Sequence, residues 1–430
     1  MRATRALSSS SRLVQRRSES AVAAAAAAAP TKSSCPEREQ RRRVMSAEVQ
    51  KVREAREATA LTRRRLDATT HRVVSAAGPV RFAVVGGGRM GEIRCDHVAR
   101  NAGARLAAFV DVSPANAAAL ASRHAGCEAF TALEDALAVG GVDAVWICAP
   151  TPCHLDLIAA AAERGAHVAV EKPVAMTVAE IRSAYELCSD AGVHLACAFQ
   201  RRSDAAYAAV ADAVARGDVG EPRSIRAVFR DHPAPPAAFL ADAGGDLFHD
   251  LATHDLDFIL DLVNKVGSGD KNNHPDEVWA FGTSSTPELR AKRVFDAATV
   301  VVTWKALELC ATLDLARGSG YGYDQRLEVF GTSGAAVSVE NAPHAHFHRA
   351  DHHGLHAGKL VHSFPQRFDA AFATELDHFL DCVRGHHAPR VTHHDAVLAT
   401  QVAEAAKLSA HREAPVKLFT DHQGALRLSS

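Results

Sequence analysis

The stretch that most constrains this chain is Phe82-Ala-Val-Val-Gly-Gly-Gly-Arg-Met-Gly91. Four apolar residues read as a short buried strand, and Gly86-x-Gly88-x-x-Gly91 follows at once. Glu92 to Asn101 reads as a helix that Gly103 stops, and residues 104–111 read as a second strand ending in Asp111. A strand–helix–strand unit of about 30 residues, with an acid about 20 residues past the last glycine, is the arrangement that holds a dinucleotide. Gly86 permits the tight turn out of the strand, Gly88 lets backbone approach a pyrophosphate, and Gly91 lets the helix pack closely on the strand. Arg89 and Met90 fall between them, where a helix N-terminus offers free N–H groups and a positive dipole end to phosphate. Asp111 is placed to accept hydrogen bonds from an adenosine ribose. Val112, Ser113 and Pro114 follow it, with no basic side chain for a 2′-phosphate, so NAD is favoured over NADP.

The 430 residues suffice for two or three domains, and 47% hydrophobic with 23% charged residues is ordinary globular composition. A net charge of −1 gives no argument for a nucleic-acid or membrane partner, and no run of 18 apolar residues suggests a span. The nine cysteines are scattered without a Cys-x-x-Cys pair, which fits reduced core thiols better than a disulfide framework or a zinc site. Residues 1–34 are rich in Arg, Ser and Ala, with no acid before Glu19, the composition of a transit peptide to mitochondrion or plastid. The rival reading is a low-complexity tail, and a start at Met45 would leave the product cytoplasmic. Residues 36–70 are densely charged and read as a linker or exposed helix.

From Pro79 apolar strands, at 80–85, 105–110, 143–149, 167–170 and 193–199, alternate with helices at Pro114–His124, Leu133–Val139, Cys153–Arg164 and Val178–Ala191. Strands apolar on both faces imply a doubly wound parallel sheet, with ligands beyond the strands' carboxyl ends. Two such ends stand out, Cys148-Ala-Pro-Thr-Pro-Cys-His154 and Val168-Ala-Val-Glu-Lys-Pro173. After residue 201 a helix at 203–216 gives way to alternating strands such as Arg326–Phe330, an antiparallel sheet with one open face. Residues 265–276 read as a loop, and 369–384 and 393–411 as amphipathic helices. The expected architecture is α/β: a leader and linker over 1–78, a Rossmann domain over 79–200, a second α/β domain over 201–420 with a large, mostly antiparallel sheet, and a tail over 421–430.

Lys172 lies between a carboxylate and a proline just past an apolar strand, where it can orient a hydroxyl or join a proton relay; a surface lysine is the plain alternative. Asp250 and His254, at i and i+4, share a face on a helix, and a carboxylate beside an imidazole fixes its tautomer and raises its basicity. A metal cluster of His249, Asp250, His254, Asp255 and Asp257 is the weaker rival, and no metal is expected. Tyr321 and Tyr323, two apart, fall on one face of a strand, and phenols suit a polyol. The run His344–His362 is irregular and reads as a loop.

Taken together and in order, these motifs resemble the Gfo/Idh/MocA family of NAD(P)-dependent oxidoreductases, over residues 80–418. The carriers are the glycine loop, Ala149-Pro-Thr-Pro-Cys-His154, Glu171-Lys-Pro173, Phe199-Gln-Arg-Arg202, Arg230-Asp231, Asp250-x-x-x-His254-Asp255 and Tyr321-Gly-Tyr-Asp-Gln-Arg326. Arg317 followed by the last motif resembles the inositol 2-dehydrogenase branch. The resemblance implies hydride transfer between a polyol hydroxyl and NAD, with Lys172, Asp250 and His254 as the catalytic trio. It implies polyol contacts at Arg201, Tyr321, Tyr323 and Asp231, and cofactor contacts at the glycine loop, Pro150, Thr151, His154, Glu171 and Lys172. It also implies a homodimer or homotetramer formed through the open sheet face. Arg94 stands where many members have histidine, Gln200 where asparagine or methionine is usual, and Glu308 near a hairpin glycine. Dehydrogenation of another sugar is the alternative within the class. A non-catalytic dinucleotide sensor is the alternative outside it, and such a protein would be expected to lose the trio.

Overall fold

The structure, a computed structural model, describes residues 71–75, 77–242, 245–266, 273–341, 348–420 and 426–429. Residues 1–70 of the expected leader and linker, Met45 among them, part of the 265–276 loop and part of the histidine run lie outside the described residues.

Six strands form the first sheet: β1 (Val80–Val85), β2 (Ala104–Val110), β3 (Glu128–Phe130), β4 (Ala144–Ile147), β5 (His167–Glu171) and β6 (Leu195–Ala198). All are parallel, in the order β3-β2-β1-β4-β5-β6. The order reverses between β1 and β4, which opens a crevice at their carboxyl ends. Between the strands run α1 (Arg89–Arg100), α2 (Pro114–Ala121), α3 (Leu133–Val139), α4 (His154–Glu163) and α5 (Val178–Asp190). Local chemistry sets their starts. Ser113 caps α2 ahead of Pro114, and Thr177 with Glu180 forms a capping box on α5. The edge strand β3 was not anticipated, because three mostly exposed residues carry no readable period.

The second half contributes α6 (Ala205–Ala215), β7 (Pro222–Arg230), α7 (Ala237–Asp242), α8 (Thr253–Lys265), β8 (Glu277–Thr283), α9 (Pro287–Ala291), β9 (Ala297–Trp304), β10 (Leu309–Ala316), β11 (Asp324–Gly331) and β12 (Ala336–Val339). After these come the hairpin β13 (His348–Asp351) and β14 (Gly354–Ala357), then α10 (Phe364–Val383), α11 (His393–Arg412), β15 (Val416–Thr420) and β16 (Leu426–Leu428). The large sheet runs β12-β11-β7-β10-β9-β8-β15-β16, with only β7 and β10 parallel. Burial along β10 alternates residue by residue, the mark of one covered and one open face. α11 packs on β8 and on α8 beneath the covered face.

Two expectations change. The C-terminal tail is in part a strand, since β16 pairs with β15 and buries Leu426. α10, far along the second half, returns to the first sheet, where Phe379 meets the Phe82 and Trp146 rings at 6.1 Å each. Its apolar face covers that side of the sheet. Glu308 adopts the left-handed conformation, φ 49°, at the turn from β9 to β10, the seat a glycine would fill without strain.

Candidate active site

At the end of β1, Gly86 takes φ +101°, a conformation closed to ordinary side chains. A Cβ on Gly91 would stand 1.8 Å from the Gly86 carbonyl oxygen, so the helix can seat here only on glycine. Gly88 faces open space, with nothing within 4 Å of where its Cβ would be. Asp111 Oδ2 accepts from the Gly87 N–H at 2.6 Å, and its Oδ1 from the Ser113 N–H at 2.9 Å. Tight where helix meets strand, open where a pyrophosphate would approach, and acidic at the second strand's end, the loop fits NAD. Val112, beside Asp111, is 91% exposed and uncharged.

Other expected cofactor contacts divide. Pro150 is exposed and Thr151 half-buried at the end of β4, where a single turn, Thr151–Cys153, leads into α4. His154 does not face the crevice. It is 1% exposed, and its ring nitrogens lie 3.0 Å from the Pro173 carbonyl and 2.8 Å from that of Ala149, so it staples two strand ends together. Arg89 likewise turns from the loop to α10, donating to Ser363 Oγ at 2.8 Å with its guanidinium 4.3 Å from the Phe364 ring centre.

Beside the loop lies a cavity of about 200 Å³ lined by Met90, Glu171, Lys172, Asp231, Asp250, His254 and Tyr323, with Phe229, Phe364 and Phe372 as apolar walls. Lys172, on a cis peptide bond to Pro173, donates to both the carbonyl and Oδ1 of Asp250, each at 2.8 Å. Arg317, nearly buried, reaches Asp250 Oδ2 at 2.5 Å. Burial alone would raise the Asp250 carboxyl, but these two cations hold it well below the usual carboxylate range.

The expected Asp250–His254 hydrogen bond is therefore not formed. The i, i+4 argument assumed α-helical pitch, whereas Phe248–Ala252 is a π-helical turn, which winds wider and displaces Asp250 from the row above His254. In this segment the aspartate–histidine pair that forms is Asp246 with His249 Nδ1, at 2.8 Å, and neither residue lines the cavity. His254 stands between the Phe199 and Phe229 rings, with Nδ1 buried and unpartnered. Burial, then Lys172 and Arg201, lower its pKa well below the ordinary histidine value against the pull of Asp250, so it is a neutral imidazole near neutrality. Burial and the nearby Asp250 raise the Asp231 carboxyl.

The tyrosines separate. They lie in a turn rather than a strand, and Gly322 at φ +116° breaks the alternation. Tyr323 is 2% exposed in the cavity wall, whereas Tyr321 is 48% exposed and bonds to Asp324 and Arg230. Arg201, expected to touch substrate, is 1% exposed behind the wall, 2.7 Å from Asp255 Oδ1 and donating to Gln325 Oε1 at 2.7 Å. Arg317, Phe364 and Phe372 were missed as site residues. A loop arginine carries no periodic signal, and the phenylalanines belong to a helix whose return to the first sheet only the fold reveals.

A dinucleotide cradle at the reversal of a parallel sheet, opening on a cavity walled by a second sheet, defines a two-domain dinucleotide-dependent oxidoreductase. Residues 80–199 match the model of an oxidoreductase family with an NAD-binding Rossmann fold, and residues 207–337 match the GFO/IDH/MocA C-terminal domain. The chain belongs to the Gfo/Idh/MocA family. It is 32% identical to inositol 2-dehydrogenase of Rhizobium meliloti over 331 residues, 76% of this chain and 96% of that one. It is also 32% identical to the NAD(+)-dependent scyllo-inositol 2-dehydrogenase of Bacillus subtilis over 350 residues, 79% and 96% of the two chains. Among solved structures, a myo-inositol dehydrogenase from Corynebacterium glutamicum superposes with a TM-score of 0.71 at 26% identity, covering 80% of this chain and all of that one.

Proposed function

We propose that the chain is an NAD-dependent dehydrogenase that oxidises a ring hydroxyl of a cyclic polyol, with myo-inositol to 2-inosose as the leading reaction. The observation that carries this reading is the convergence of Lys172, Asp250 and His254 on one cavity beside the glycine loop. NAD, when bound, supplies the hydride acceptor. Neutral His254 takes the hydroxyl proton, and Lys172 donates a hydrogen bond to the oxygen as charge develops there. Asp250 anchors Lys172 rather than His254, and Arg317 anchors Asp250. The lining sets three carboxyl groups, Glu171, Asp231 and Asp250, against one lysine that is already paired, which suits an uncharged polyhydroxylated ring better than a sugar phosphate. The inositol dehydrogenases among the relatives support the same choice. Purified chain is expected to reduce NAD with myo-inositol or scyllo-inositol, read by nicotinamide absorbance. Silence with every inositol and aldose, despite NAD binding, would remove the reading.

The open sheet face, where the Trp279 and Phe281 rings stack at 6.0 Å and Phe281 is 60% exposed, supports association into a homodimer or homotetramer. Sedimentation of wild type and Phe281→Glu tests it, a monomer in the wild type being the contrary result. Residues 1–34 are proposed as an organellar targeting segment. A reporter fused to them is expected in mitochondrion or plastid, and a cytoplasmic reporter would reject that.

A further inference from the structure

Arg94 lies on the second turn of α1, four residues after Met90, and is 1% exposed. Its guanidinium is held between two aromatic faces, 4.2 Å from the Trp146 ring centre and 4.6 Å from that of Phe372. Stacked on both sides, a planar guanidinium can reach partners only in its own plane. It meets carboxylates from two other elements, one by a hydrogen bond and one as an ion pair. Nε donates to Glu171 Oε1 at 2.7 Å, and Nη2 lies 2.7 Å from Oε2 of Glu375, on α10. Trp146 Nε1 donates to the same Glu171 oxygen at 3.3 Å. Glu171 ends β5, precedes Lys172 and lines the cavity with it. Its other oxygen is the one left for a ligand.

The charges are unequal, one buried cation against two acids that are each 13% exposed at the side chain. Arg94 stays protonated because Glu171 and Glu375 outweigh its burial. Burial pushes Glu375 up to about 7, with Glu171 adding to the rise and Arg94 and Arg390 opposing it. Cys148 and Cys197 also face these acids from the first sheet, and His378 and Arg202 share a small cavity with Glu375. Arg94 thus keeps one of two crowded carboxyls available as an acceptor.

We propose that Arg94, braced by Glu375, is a positioning residue of the site, pinning Glu171 in the cavity wall beside Lys172 as a fixed hydrogen-bond acceptor. This rests on the reading of the cavity as the reaction site. Methionine at position 94 would fill the slot between the rings without donors or charge. Without the cation the two facing carboxyls are left to share a proton, and Glu171 would compete with Glu375, already raised to about 7, instead of standing as a fixed acceptor.

The test uses the full chain with Arg94→Met, Arg94→Met/Glu375→Gln and Arg94→Lys. For Arg94→Met, kcat/KM with myo-inositol is expected to fall about tenfold at neutral pH, the cost of one charged hydrogen bond, and to recover at higher pH. Adding Glu375→Gln removes the competing acid and restores part of the neutral-pH rate. A wild-type profile in Arg94→Met, or a loss equal at every pH and unrelieved by Glu375→Gln, overturns the proposal. A second readout needs no substrate, because the Trp146 indole N–H resonance reports the charge on Glu171. In Arg94→Met it is expected to move at neutral pH and to return toward its wild-type position when Glu375→Gln is added, and a resonance that does not move, or that Glu375→Gln leaves displaced, overturns the proposal. Should the wild type oxidise no polyol, the proposed function fails while this resonance still decides the role of Arg94. Should Arg94→Met not fold, Arg94→Lys decides, since it keeps the charge without the two-pronged fork. An unshifted pH profile with raised KM is expected there, and a wild-type KM overturns the proposal.

Discussion

Asp250 and Asp255 stand five residues apart, and each is held by arginine, yet the two clusters have opposite settings. Asp250 lines the cavity between Lys172 and Arg317. Asp255 and Asp257, 0% and 1% exposed, meet the consecutive Arg201 and Arg202 behind the wall, at 2.7 and 2.6 Å. The first cluster leaves a lysine beside open space, where its charge can act on a ligand. The second joins the segment after β6 to α8 and lines no part of the reaction cavity. Identical ion-pair chemistry thus serves reaction in one place and attachment in the other, and the difference lies in what remains accessible once the pairs are made.

That contrast predicts that substitutions in the two clusters fail in different ways. The largest expected effect is on the cavity side, where His254→Ala should lower kcat about a thousandfold, the scale of a general base, with NAD affinity within about twofold. Fluorescence titration alongside turnover checks it, and a variant with full turnover would return His254 to the structural class. Asp250→Asn should lower kcat by more than its loss of stability explains, since Lys172 loses its anchor beside the cavity while the hold on Arg317, 5% exposed at its side chain, is weakened as well.

On the buried side the order reverses. Asp257→Ala removes the two-pronged partner of Arg202, 6% exposed at its side chain, which keeps Asp261 at 3.1 Å and Asp395 at 3.5 Å, so the loss is that of charged hydrogen bonds, about 1.5–3 kcal/mol. Urea denaturation should show that loss, and the surviving folded fraction should keep its KM. An unchanged unfolding free energy together with a raised KM would erase the distinction between the clusters.

Acid offers a third way to separate cavity from framework. In the folded chain His254 lies well below its ordinary value, and burial first, then neighbouring cations, lower His167 to about 4; burial first, then the neighbouring His71 and His167, lower His194 to about 3. Below about 6.5 the unfolded chain takes up protons that these folded histidines refuse, so stability must fall as pH falls through that window. The acid limb of kcat/KM reports His254 alone and should also lie below 6.5. Melting midpoints across the range, with His167→Gln expected to flatten the slope, separate the two. An acid limb above the ordinary histidine value would remove His254 as the base.

The first sheet was legible because its signals are local. Apolar runs, glycines and caps placed β1, β2, β4 and β5 within a residue or two at most ends. The glycine loop with Asp111, and the membership of Lys172, Asp250, His254, Asp231 and Tyr323 in one site, were legible as motifs. Their partners were not. A π-helical turn cannot be told from an α-helical one by spacing, so Asp250 was assigned to the wrong neighbour. Arg201 was read as a substrate contact because a motif reveals adjacency in sequence, not which side of a wall a side chain takes. α10 could be read as amphipathic, but not that its apolar face covers β1 and β4 across nearly 300 residues of chain.

The smallest expected effect is the sharpest test of that last kind of error. Tyr321 and Tyr323 are alike in chemistry and were expected to act alike, but Gly322 at φ +116° turns one to solvent and the other to the cavity. The Tyr323 hydroxyl donates to buried Gln325 Oε1 at 3.3 Å, which leaves its oxygen to accept from the polyol, so in Tyr323→Phe KM should rise about five- to tenfold, the value of a single hydrogen bond, with kcat little changed. Tyr321→Phe removes a bond to Asp324 at 2.6 Å on the outer side and should leave KM within about twofold. Steady-state kinetics of the two single variants and the double decide the matter. Equal effects, or a double variant much worse than Tyr323→Phe alone, would put both phenols in contact with the substrate and place the turn differently when the site is full. A lone effect at Tyr323 means that a single left-handed glycine, rather than the strand alternation the spacing suggested, selects which phenol the substrate meets.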